Sequence, residues 1–285
     1  MSKIPATHLF LNPGDDDQLG IFGCEPAECE FGVLEAVMNH DSGTLCKTTP
    51  HQGTLGVHLL GLVDFDATLG LQEQQVYDLS GRDDLAGTLF FCEHPPVISM
   101  GREASRANLL LDDEELARRE LKVRWVARGG GAICHAPGQL AIYLQLPLQR
   151  LGIGLAKYRT LFESAVVAAC QELKIPAKRQ ADDTGIWTRG GQLGYFGACV
   201  KAWVSCQGMF LNISVDPRLL ELTVSNASGA RSASMQSLRL DPVRMPQVRE
   251  ALIRHIADNF GYAATDISTG HPLLRRTKQR VLIHA

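Results

Sequence analysis

The side chains best suited to chemistry are concentrated in one stretch near the middle of the chain, Arg128-Gly129-Gly130-Gly131-Ala132-Ile133-Cys134-His135-Ala136-Pro137-Gly138-Gln139. Three consecutive glycines let a backbone pass close to a ligand and present amide N–H groups that can hold a carbonyl or an anion. The same run also suits a tight hairpin that needs positive φ, and both readings stand at this stage. His135, just before a Pro-Gly pair, carries an imidazole that a rigid turn would hold in place, either as a working base or as a structural hydrogen-bonding group.

Eight cysteines, at positions 24, 29, 46, 92, 134, 170, 199 and 206, are scattered without a dense framework, which predicts reduced thiols. Cys134, Cys199 and Cys206 are the candidate nucleophiles. Cys134 ranks first because it adjoins His135, although neighbours on a strand point to opposite faces. Cys199 and Cys206 fall in expected strands, where a small buried thiol is the usual role, and Cys170 reads as core. Cys24, Cys29, His40, Cys46 and His51 offer metal ligands, but the spacing is loose and no Cys-x2-Cys knuckle occurs. The expectation is no metal and no cofactor.

These residues have to be positioned by regular elements. Strands are expected at 56–63, 88–92, 97–100, 122–127, 139–146, 184–188, 193–200 and 202–214, with a turn at 129–131. Helices are expected at 65–79, 112–120, 157–173 and 245–260. The third is the clearest, with Leu161, Ala165, Ala169 and Leu173 at four-residue spacing. Gly261 should end the last helix. Strands and helices mix without strict βαβ alternation, so the expected fold class is α+β, a mixed or antiparallel sheet with packed helices. The main domain spans 56–262, between an N-terminal extension at 1–55 and a C-terminal tail at 263–285.

Charge is distributed unevenly. Residues 1–60 hold two Lys and eight carboxylates (2 − 8 = −6), whereas 201–285 hold eleven Lys/Arg and six Asp/Glu (11 − 6 = +5). The basic third could steer an acidic protein partner or simply be a solvated face. No basic run with interleaved aromatics argues for nucleic acid. No apolar run approaches the roughly 18 residues needed to span a bilayer, and the start is no signal peptide, so a cytoplasmic, membrane-free protein is expected.

Several motifs, in order, resemble the lipoyl/octanoyl transferase family, which is related to lipoate-protein ligases and biotin ligases. The family carries Arg-Gly-Gly followed by Tyr-His-Gly-Pro-Gly-Gln, where this chain has Cys134 for the Tyr and Ala136 for a Gly. Leu60-Gly61-Leu62-Val63-Asp64-Phe65 with Gln72-Glu73, Glu93-His94-Pro95-Pro96-Val97 with Gly101-Arg102, and Thr184-Gly185-Ile186-Trp187 are similar to further family motifs. Gly208-Met209-Phe210-Leu211-Asn212 resembles its Gly-Leu-Ala-Leu-Asn strand. The resemblance covers roughly 58–240 and implies a ligase-type catalytic domain. It further implies acyl carrier protein and lipoyl domains as partners, an octanoyl group as cargo, and a fatty acyl cleft made by Arg128–His135, Tyr195, Phe196, Gly197, Gly208, Met209 and Phe210.

The family transfers the acyl group through a cysteine thiolate whose pKa a nearby lysine lowers. Aligned residue by residue, the lysine position is Gln192, and a gap-free count onward puts the cysteine position at Asn226, flanked by Ser225 and Ala227 rather than Pro and Gly. Neither amide supplies a nucleophile or a cation. The resemblance thus implies an octanoyl transferase-like protein impaired in the usual thioester mechanism, or a non-catalytic protein that binds a lipoyl domain, acyl carrier protein or fatty acyl group.

Overall fold

A computed structural model describes residues 47–180, 183–226 and 228–274. The chain divides into two units, 1–43 and 44–285, and everything below concerns the second. In order, it comprises β1 (His51–Leu62), α1 (Phe65–Ser80), β2 (Gly87–Glu93), β3 (Val97–Met100), α2 (Asp113–Arg118), β4 (Lys122–Trp125), β5 (Ala132–His135) and β6 (Gln139–Gln145). There follow α3 (Leu155–Glu172), β7 (Ile186–Thr188), β8 (Gly191–Lys201), β9 (Val204–Asn212), α4 (Pro217–Leu220), α5 (Met245–Phe260) and β10 (Tyr262–Thr269).

Seven strands form a mixed sheet in the order β10-β1-β2-β6-β9-β8-β7, and β4-β3-β5 form a small second sheet. The class is α+β, as the irregular mixture of periods implied. Because side chains alternate across a strand, the large sheet buries two different sets. Met209 and Leu211 of β9 face a core with Leu161, Phe162, Val248 and Ile256 of α3 and α5. Phe210 faces the other way, with Leu71 of α1 and with Phe90, Ile133, Tyr143 and Tyr195. That second layer is where the candidate site lies.

Local signals set the ends of the elements. Asp64 caps α1 by accepting from the Ala67 N–H, and Asp112 caps α2 through Glu115. Gly261 ends α5 in the left-handed conformation (φ 78°). Ala202 and Trp203, both at positive φ, make the two-residue turn between β8 and β9. Two boundaries differ from the expectation. β1 begins at His51, inside the stretch assigned to the extension, and residues 263–269 are not tail but pair with β1 as the parallel edge strand β10. All of β10 after Tyr262 is exposed, so it lacks the apolar alternation that would have marked it.

Candidate functional site

β3 and β5 run antiparallel with Ser99 opposite Ile133 and Val97 opposite His135. This brings Ser99 Oγ within 2.7 Å of His135 Nε2, while His135 Nδ1 lies 2.7 Å from Gln139 Oε1. The Gln139 amide is oriented by its own donor side, which binds Cys134 O (3.2 Å) and Asn212 Oδ1 (2.9 Å). Nδ1 therefore carries the proton and Nε2 accepts from Ser99. Arg128 donates to Ser99 O (2.8 Å), Ser99 Oγ (2.7 Å) and Gly129 O (3.0 Å). Its guanidinium is fully buried and pairs with carbonyl and hydroxyl oxygens rather than a carboxylate, and burial pulls its pKa down to about 9. Burial also pushes His135 well below its usual value, with the nearby His94 and Arg128 acting in the same sense.

Aromatic rings close this layer. Phe65 stacks on His135 at 5.1 Å between centroids, and Phe210 lies 4.5 Å from His135 and 5.7 Å from Tyr143. His94 donates from Nδ1 to Val63 O (2.9 Å) and accepts the Tyr143 hydroxyl at Nε2 (2.7 Å). Its pKa falls to about 4 through burial.

The glycine run serves close backbone packing. Gly129 N–H donates to Ala198 O (3.3 Å) and Gly130 N–H to Glu103 Oε1 (3.1 Å), so both amides are already engaged. Gly130 needs its positive φ of 79°, and a Cβ at Gly131 would sit 2.9 Å from Ser225 O. The turn reading holds, and it acquires a second purpose: the segment carrying Asn226 lies directly against Gly131.

Gln192 and Asn226, 34 residues apart, meet. Asn226 Nδ2 donates to Gln192 Oε1 (2.9 Å) and to Ala230 O (3.2 Å). Asn226 Oδ1 accepts from Ala230 N (2.9 Å) and Ser228 Oγ (2.8 Å), and Gln192 Nε2 donates to Thr184 O (3.0 Å). Both amides spend their donors and acceptors on the protein itself. The loop that receives Gln192 is held by Glu163 of α3. Its fully buried carboxylate accepts from Arg159 (2.9 Å), Arg179 (2.9 Å) and the Gly185 N–H (2.7 Å). Glu163→Ala leaves two guanidinium groups and a buried amide without their acceptor. A loss of roughly 3 kcal/mol is expected, read as a shift in the urea midpoint, and a shift below a tenth of that would remove Glu163 from this role.

The remaining candidates divide. Tyr195 and Ile133 join Phe210 in the aromatic layer. Tyr195 hydrogen-bonds Ser232, and Gly197 packs on Arg128 and Gly129. Gly208 sits against β6, where a Cβ would strike the Ile142 carbonyl. Phe196 and Met209 were expected in the cleft but point to the opposite core, as the strand period requires. Ala132 and Cys134 face the core of the small sheet. Cys134 is 2% exposed and its thiol is pushed up to about 12 by burial, which removes the thiolate that a substitute nucleophile needs.

Cys199 and Cys206, expected as reduced thiols, are instead joined by a disulfide. They stand directly opposite each other across the β8–β9 hairpin, Cα atoms 5.2 Å apart, within the span a disulfide bridges. Of the N-terminal residues weighed as metal ligands, only His51 lies within the described residues, where it binds Phe260 O (3.0 Å). Among the described residues no group of three or more His, Cys, Asp or Glu could hold a metal, and no helix is long and apolar enough to cross a membrane. Residues that sequence reasoning missed are Ser99, Tyr143 and Glu163. Phe65 and His94 stood in quoted motifs but were given no role.

Comparison with known proteins agrees with this architecture. The family described as lipoyl protein ligase A/B catalytic domain matches residues 66–257. An octanoyltransferase from Syntrophotalea carbinolica is 32% identical over 197 residues, covering 69% of this chain and 90% of that relative. Another from Acidobacterium capsulatum is 32% identical over 217 residues, covering 71% and 87%. Among solved structures, a lipoate-protein ligase A bound with ATP superposes with a TM-score of 0.60 at 16% identity, covering 78% of this chain and 91% of that one. The bipartite lipoate protein ligase from Thermoplasma acidophilum gives 0.59 at 15%, covering 78% and 89%. Those two likenesses speak for the fold, and the sequence matches for the lineage. The chain belongs to the octanoyltransferase and lipoate protein ligase family.

Proposed function

We propose that this protein is a non-catalytic member of the family that recognises a lipoyl domain or an acyl carrier protein without forming an acyl-thioester. One observation carries the reading: the positions aligned with the family's lysine and cysteine hold a neutral amide pair, Gln192 and Asn226, whose polar atoms bind each other and the surrounding backbone. Such a pair offers no thiolate to a thioester and no cation to a thiolate or a phosphate. Burial of Cys134 and disulfide bonding of Cys199 and Cys206 support the same conclusion. The exposed Arg189 and Arg231 flank the strand segment that carries Gln192 and would favour an acidic partner surface.

The names of the octanoyltransferase relatives favour a second reading, residual octanoyl transfer in which the protein only aligns the acyl donor and the acceptor lysine. Mixing the purified full-length protein with octanoyl-acyl carrier protein and a lipoyl domain, followed by intact mass, separates the two. The expected result is no octanoyl gain on the lipoyl domain above the enzyme-free control, together with measurable binding of one partner by calorimetry. Octanoyl gain above that control decides for transfer, and absence of binding to either partner removes the recognition role.

A further inference from the structure

We infer that Phe210 plugs the acyl cleft from within and excludes medium-chain acyl groups, making it the specificity-determining residue of this site. The inference deepens the functional reading above and rests on it, with this layer taken as the acyl-binding face that the family resemblance implies.

Position 210 is on the site face of β9, between Gly208 and Asn212, the two residues that share its face along the strand. Gly208 has no side chain, and the Asn212 amide is tied down, its Oδ1 accepting from Gln139 Nε2 and its Nδ2 donating to Ala233 O. The strand that Gly208–Asn212 resembles has Ala at this position, so the row reads small-small-Asn there and small-large-Asn here. The extra volume of the Phe210 ring lies in the middle of the layer. It contacts His135 (4.5 Å between centroids) and Tyr143 (5.7 Å), and the Arg128 guanidinium carbon sits 5.8 Å from its centroid.

The ring is fully buried, and so are Tyr143 and Arg128, with His135 at 1% exposure. Layers packed this way have the density of organic crystals, and a flexible eight-carbon chain enters only by displacing side-chain volume. Cavities of about 290 Å³ do open elsewhere, one lined by Lys47, His51, Arg150 and Lys157 and one by Arg159 and Arg179, and neither is lined by a residue of the aromatic layer. The amide pair and the phenylalanine thus alter the site in two independent ways, one removing the chemistry and the other the space for its cargo.

Calorimetry or native mass spectrometry with free octanoate on the full-length protein tests this without any transfer step. Wild type is expected to show no saturable binding up to the highest octanoate concentration used, and Phe210→Ala to bind on the order of 100-fold more tightly than that bound, the factor supplied by a few newly buried methylenes. Phe210→Leu, which is gentler on the fold, should gain a smaller part of that. Leu211→Ala opens a comparable space on the opposite face and should gain nothing. Octanoate binding by wild type overturns the inference. Folded Phe210 variants that fail to gain, or an equal gain in Leu211→Ala, overturn it as well. Calorimetry with a lipoyl domain and an acyl carrier protein on the same samples keeps the two ideas apart. A wild type that binds neither partner removes the functional reading while leaving a gain in Phe210→Ala intact. Partner binding with no gain in the variants removes the plug alone.

Discussion

A thiol introduced by Asn226→Cys should titrate about one to three pH units lower when Gln192→Lys accompanies it than when Gln192 is kept. The two side chains already touch, with Asn226 Nδ2 and Gln192 Oε1 2.9 Å apart, so an ammonium at 192 would stand within ion-pair distance of a sulfur at 226. Position 192 is 2% exposed. Burial there disfavours an isolated ammonium and an isolated thiolate alike, so the pair charges together and titrates as a unit. The measurement is the pH dependence of iodoacetamide alkylation in the single and double variants, which requires no acyl donor and is indifferent to what fills the cleft. Equal midpoints would mean that the two positions do not form the reactive pair that the alignment makes of them. A lowered midpoint would also show that the surrounding loop still accommodates the charged arrangement.

Stability should fall as the pH is lowered from about 6.5 to 4, ahead of the ordinary carboxylate range. His94 is held neutral in the folded state because its Nε2 accepts the Tyr143 hydroxyl and its other nitrogen donates to Val63 O. Its folded pKa of about 4 lies below the unfolded value of 6.5, so between those limits the unfolded chain binds the proton that the folded one refuses. The contribution is fully present above 6.5 and is lost as the pH approaches 4. A shift of that size corresponds to roughly 3 kcal/mol. His135, also depressed by burial and also bonded as a neutral ring, acts in the same direction. The paired carboxylates behave differently. Glu172, with Arg254 and His255, is lowered to about 2, so stability held there is lost only at lower pH. Urea midpoints measured across pH 7.5 to 4 should therefore decline in wild type and decline less steeply in His94→Gln, where only the His135 contribution remains. A level wild-type profile over that window would contradict a neutral, buried His94.

The architecture was legible where side-chain period and punctuation coincide. The spacing of Leu161, Ala165 and Ala169 marked α3, and Gly261 marked the end of α5, because those residues act through local geometry. β10 was not legible, since a strand exposed along almost its whole length and placed only by pairing with β1 leaves no apolar pattern. In the site, counting without a gap from Gln192 through the β8–β9 hairpin and α4 to Asn226 reached two residues that do meet. The Ser99–His135–Gln139 chain could not be read in advance. Its longest link joins residues 36 apart through strand pairing, and a serine in a four-residue apolar strand looks like any small core residue. Assigning Met209 and Phe196 to the cleft ignored the alternation that sends them to the other core.

The Cys199–Cys206 bond closes a loop of only a few residues, so it removes little freedom from the unfolded chain, and its chief effect is on alignment. In a two-strand ribbon, sliding one partner by a single residue exchanges inside for outside along the whole strand. Here such a slip would turn Phe210 toward α3 and α5 and swing Met209 into its place. Covalent pairing at one rung makes that error unavailable, so the hairpin's handed arrangement of faces is set by a bond while its packing sets only how well those faces fit.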